Sequence, residues 1–80
     1  MKLFIRDSKN ETKSIYIMES DSVVTLKNEI KKKFGITTNI ELVFNGNILQ
    51  ENDNLASYDG LTDNQTIDFQ GQFTAGKQSK

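Results

Sequence analysis

Glu19, Asp21, Asp53 and Asp59 are the side chains with the most obvious chemistry, because two carboxyl groups in a dry cleft, with separated pKa values, can share acid and base roles. Their spacing defines no such cleft. The sequence also has no His and no Cys to complete a catalytic set. Thiol nucleophile, disulfide and the usual zinc donors are thereby excluded. No phosphate-binding glycine loop is present either. No enzymatic activity and no cofactor or metal are expected, and the carboxylates read as solvated surface.

Ten basic and eleven acidic residues among 80 leave a formal charge of -1. A nucleic-acid binder normally carries a basic excess, so direct nucleic-acid binding is not expected. Hydrophobic content of 35% with 26% charged residues fits one small folded domain with a thin core. The opening residues lack the apolar core of a signal peptide, and no apolar run is long enough to span a bilayer. The expectation is a soluble protein with no membrane partner, cytoplasmic, with nucleus or nucleolus as further compartments. Two glycosylation sequons, at Asn10 and Asn64, are read as coincidental without a secretory signal.

The elements that position these residues follow from periodicity. Met1, Leu3 and Ile5 alternate with Lys2, Phe4 and Arg6, as in a strand with one buried face. Asp7-Ser8-Lys9-Asn10 supplies turn chemistry. A second run then turns Ile15 and Ile17 inward and Ser14, Tyr16 and Met18 outward, making a hairpin with the first. From Ser22 the period lengthens: Val23, Leu26, Ile30 and Phe34 form one helical stripe, Ser22 can cap the start and Gly35 can close the end. Asp21 adds negative charge near the start, and Lys31, Lys32 and Lys33 lie near the negative end of the helix dipole. Ile40, Leu42 and Phe44 mark a third strand, Asn45-Gly46 a tight turn, and Ile48-Leu49 a short return. Leu55 and Tyr58 peg a polar stretch to the core as a short helical turn, and Thr66 to Phe69 form the last strand with Ile67 and Phe69 inward.

This order predicts an α+β fold, a mixed sheet packed on one α-helix in the β-grasp arrangement. Residues 1-70 form the domain, and residues 71-80 a flexible tail or fusion junction. On the outward face, Phe4 and Tyr16, with Thr12 and Ser14, are candidates for a protein-recognition surface, since outward residues on paired strands become neighbours.

Order and residues together resemble ubiquitin and its relatives from Met1 to Gly76. The resemblance rests on Met1-Lys2-Leu3-Phe4-Ile5-Arg6, on Ser20-Asp21-Ser22-Val23 with Lys27, Ile30, Lys33 and Gly35-Ile36, and on Leu42-Val43-Phe44 with Gly46, Leu49, Leu55 and Tyr58. Thr66-Ile67 and Phe69 complete it. It implies that the first and last strands lie side by side and parallel in mid-sheet. It also implies a receptor-binding patch at Ser8, Val43, Asp68 and Gln70, of which only Val43 is aliphatic, so binding to standard ubiquitin receptors is expected to be weak or absent. Glu41, Asn47 and Gln72 replace positive charge around that patch. Asn47 and Asp63 stand where the family's most used acceptor lysines would be, which excludes a polyubiquitin building block, and the remaining Lys27 and Lys33 read as solvated helix charge.

Within the family, Gly71-Gln72-Phe73-Thr74-Ala75-Gly76-Lys77 is most similar to the junction of the ubiquitin-like moiety (FUBI type) fused ahead of a small-subunit ribosomal protein. The resemblance implies an amino-terminal fusion partner cleaved after Gly76 by a ubiquitin-like-specific protease, with Ala75, Gly76 and Lys77 as the processing junction. Ala75 departs from the paired glycines of that site. The other readings are a permanent ubiquitin-like interaction domain of a larger protein, and a modifier attached to lysines.

Overall fold

The computed structural model of the chain describes residues 1-71. Five strands and one long helix follow in the order β1 (Lys2–Arg6), β2 (Thr12–Tyr16), α1 (Val23–Phe34), β3 (Ile40–Phe44), β4 (Asn47–Ile48) and β5 (Thr66–Gly71), with a single 3₁₀ turn at Leu55–Ser57 before β5. The spatial order of the sheet is β2-β1-β5-β3-β4. β1 and β5 run parallel, and the other neighbours are antiparallel. This is the β-grasp fold, and the first and last strands occupy its middle as the resemblance implied.

The alternation read from the sequence sets which face is buried. Leu3, Ile5, Ile15, Ile17, Leu42, Phe44, Ile67 and Phe69 turn to one side of the sheet, where Val23, Leu26 and Ile30 of α1 meet them in a single core. Ile17 lies one residue beyond β2 but stays aligned, because its N–H donates to the Met1 carbonyl and its own carbonyl accepts from the Met1 amino group.

Helix α1 begins and ends where its chemistry requires. Ser22 Oγ accepts from the Thr25 backbone N–H, satisfying a donor that has no partner inside the helix. Gly35 takes φ 70° and sends its N–H to the Lys31 carbonyl, a left-handed stop that a side chain would strain. Asp21 serves the preceding loop: its Oδ2 accepts from the Met18 N–H at 3.1 Å, and the first helical turn itself contains no acidic residue.

The long connection from β4 to β5 is held by polar bonds as well as by Leu55 and Leu61. The Tyr58 hydroxyl donates to Asp53 Oδ2 at 2.6 Å and accepts from the Gln50 N–H at 2.8 Å. Burial, and next the bond to Asp53, push the phenol up from its ordinary value, while the Gln50 bond pulls the other way. A pKa raised by folding gives stability that is fully present below the unfolded value and lost as pH rises through the folded one. Chemical unfolding measured from about pH 9 upward should therefore show stability falling beyond about pH 10. The part owed to Tyr58 is the difference in slope between the native chain and Tyr58→Phe. Equal slopes would dismiss it.

Candidate interaction surface

The unburied side of the sheet carries most of the residues singled out in the sequence. Cross-strand partners Thr12 and Arg6, Arg6 and Asp68, Asp68 and Val43, and Val43 and Ile48 form one row across all five strands. At its centre the Arg6 guanidinium grips the Asp68 carboxylate twice, Nε to Oδ1 at 2.6 Å and a terminal nitrogen to Oδ2 at 3.1 Å. The pairing pushes the Arg6 pKa up, first by hydrogen bonding and then by charge. Beside it, Gln70 donates to Glu41 Oε1 at 3.3 Å. Val43, Asp68 and Gln70 are thus brought together, but the middle of their surface is an ion pair, and its apolar part is limited to half-buried Val43 and exposed Ile48.

Phe4 and Tyr16 are placed differently from each other. Phe4 lies opposite Ser14 on one side and Thr66 on the other, half-buried, with the Lys2 ammonium 5.0 Å from its ring centroid. Tyr16 is 75% exposed, and its direct neighbour across the strand pair is Lys2, with Phe4 only diagonal to it. Tyr16 and Met18 rather than Phe4 are therefore the exposed large side chains at this end of the sheet.

Edge strand β2 carries a feature that sequence reasoning missed. Met1 and Ile17 exchange both backbone bonds, and Asp7 N–H donates to the Glu11 carbonyl. Hydrogen-bonded pairs alternate along an antiparallel ladder, so Leu3 with Ile15 and Ile5 with Lys13 are also of that kind. The backbone groups of Thr12, Ser14 and Tyr16 then point away from β1, and β2 has no neighbour on that side among the described residues. Next to this edge runs a groove between β2 and α1, lined by Ser14, Ile15, Tyr16, Glu29, Lys32 and Lys33. Lys32 Nζ lies 3.8 Å from Glu29, and Lys33 makes no ion pair among the described residues. Both lysines are exposed, and their aliphatic stems add to the apolar wall beside Tyr16. Edge status is set by topology, which no local pattern reports; a lysine pair on a helix next to an alternating strand was the only available signal.

The remaining sequence readings divide. Lys27 is not a solvated charge: its side chain is only 12% exposed and its ammonium sits 3.0 Å from Glu51. Asp53 is engaged with Tyr58 and Asp21 with Met18, while Glu19 and Asp59 are exposed. No group of three or more acidic residues among the described residues is arranged to hold a metal ion. No described helix is long and apolar enough to cross a membrane. Ala75, Gly76 and Lys77, with Gln72 and Phe73, lie outside the described residues.

The profile of a family described as Ubiquitin-2 like Rad60 SUMO-like matches residues 1–70. No curated protein matches the chain.

Proposed function

Because the chain belongs to the family of SUMO-like, ubiquitin-like domains described as Ubiquitin-2 like Rad60 SUMO-like, whose domains are non-catalytic, we propose that it works as a recognition domain that captures an extended peptide along β2. The single observation behind this reading is the open edge of β2 beside a groove walled by Tyr16, Lys32 and Lys33. An added strand obtains its affinity from main-chain bonds to the outward groups of Thr12, Ser14 and Tyr16, and its specificity from alternate side chains. A segment of β-branched aliphatic residues suits the groove, because such residues favour the strand and fill the wall beside Ile15. Flanking acidic residues meet Lys32 and Lys33.

The test is a titration with a synthetic peptide of that composition, followed by amide resonances. The N–H signals of Ser14 and Tyr16 should shift most, with those of Lys13 and Ile15 less affected. Shifts centred on Val43, Asp68 and Gln70 would reject the β2 site. The Arg6–Asp68 ion pair supports weak or absent binding of standard ubiquitin receptors there, since a partner would have to desolvate a paired charge at the centre of the contact.

The sequence from Gly71 to Lys77 favours a second reading, compatible with the first. It supports an amino-terminal fusion partner, upstream of a ribosomal protein, from which a ubiquitin-like-specific protease releases the domain after Gly76. On that reading the compartment is cytoplasmic, nuclear or nucleolar. Mass spectrometry of the endogenous product decides it: a species ending at Gly76 supports release, and a product always carrying downstream sequence leaves a permanent interaction domain.

A further inference from the structure

Three asparagines have left-handed backbone: Asn10 at φ 66°, Asn45 at φ 52° and Asn64 at φ 69°. Their successors differ. Glu11 follows the first and Gln65 the third, but Asn45 precedes Gly46, whose backbone nitrogen has no neighbouring side chain to hinder it. The two residues form the β3–β4 turn, Gly46 at φ 79°, and both are exposed. Positive φ at both central residues marks the tight turn in which Asn-Gly is favoured. The tip itself is lightly held: β4 has two residues, both exposed, paired only as Phe44 with Asn47 and Val43 with Ile48, while buried Phe44 and Leu49 anchor the hairpin on either side of it. Exposed backbone bonds with few buried contacts open at low free-energy cost.

We propose that Asn45 is a site of spontaneous, water-driven modification, in which the folded protein converts this residue to aspartate and isoaspartate. The Gly46 backbone nitrogen loses its proton and attacks Asn45 Cγ. A nitrogen–carbon bond forms, and the side-chain carbon–nitrogen bond breaks as the leaving nitrogen takes up a proton and departs as ammonia. Water then adds to one of the two carbonyls of the cyclic imide. Opening on one side gives aspartate, and on the other gives isoaspartate, in which the main chain passes through the former side chain. No oxidation or reduction occurs.

The consequence falls on β4. An isoaspartate lengthens the main chain within a two-residue turn, so the register of Phe44 with Asn47 and Val43 with Ile48 cannot be kept. Ile48 leaves its place beside Val43, and a negative charge arrives at the tip. The β2 edge, on the opposite side of the sheet, is unaffected.

The experiment incubates the purified native chain near neutral and at mildly alkaline pH and maps it by cleavage after glutamate. The peptide from Leu42 to Glu51 contains both Asn45 and Asn47, which backbone fragmentation separates. The mass gain that replaces an amide nitrogen by oxygen should accumulate at Asn45 at least an order of magnitude faster than at Asn10, Asn47 or Asn64. Its rate should rise with pH. Hydrogen exchange of the isoaspartate fraction should show lost protection at Leu49 N–H, which donates to Leu42 at 2.9 Å in the native fold, with β2 unchanged. Conversion at Asn45 no faster than at Asn10 or Asn64, or seen only in a urea-unfolded sample, would overturn the proposal.

Discussion

Truncating Leu26 to alanine should lower the unfolding free energy by about 2–5 kcal/mol, the range for removing a fully buried leucine and leaving its space partly unfilled. Leu26 is 0% exposed, in the middle of the stripe by which α1 covers the sheet. A single core of this size rarely supplies more than about 3–5 kcal/mol in total, so the substitution removes much of the margin. A drop in melting temperature of at least about 8 °C follows, given roughly 4–8 °C per kcal/mol for small domains. Val24, two positions before it and 43% exposed, is the natural comparison. Val24→Ala should change stability by no more than about 0.5 kcal/mol. Similar losses at the two sites would mean that α1 does not bury the face assigned to it.

Reversing charge at both Lys32 and Lys33 to glutamate should weaken the acidic-flanked peptide on the order of tenfold to a hundredfold at low salt. Each exposed attraction contributes up to about 1 kcal/mol, and reversal adds repulsion to its loss, while tenfold in affinity is about 1.4 kcal/mol. The effect should shrink at high salt, where charges are screened beyond about 3 Å at 1 M. Lys32 currently faces Glu29, so a bound acidic residue competes with that contact and Lys33 should contribute the larger share. Lys31→Glu is the control: it changes charge on the same helix without lining the groove. An equal loss from that variant would assign the effect to overall charge. Tyr16→Ala should add a salt-independent loss, because its role is to wall the groove rather than to carry charge.

Local rules made much of the fold legible. The alternation in residues 1-6, the stripe from Val23 to Phe34 and the Ser22 and Gly35 caps all depend on near neighbours in sequence, and the structure keeps each of them. The surface was harder because its partners are distant. Arg6 and Asp68 meet only through parallel pairing of β1 with β5, 62 residues apart, so two isolated charges in the sequence become one neutralised centre. Lys27 lost its solvent to Glu51 in the same way, across 24 residues. Phe4 was legible as outward-facing but not as half-covered, since it lies between Ser14 and Thr66 of the two neighbouring strands, the second of them 62 residues away. β2 was legible as a strand but not as an edge.

The parallel pairing of β1 and β5 also constrains how the domain is made. Phe4, Ile5 and Arg6 find their partners in Thr66, Ile67 and Asp68, so the central ladder joins opposite ends of the described chain. Contacts of such long sequence separation form slowly, because the closure entropy comes before the gain. During synthesis, the β1–β2 hairpin and α1 emerge with three of the five strands absent, so they can cover only part of each other's apolar faces until β5 has left the ribosomal tunnel.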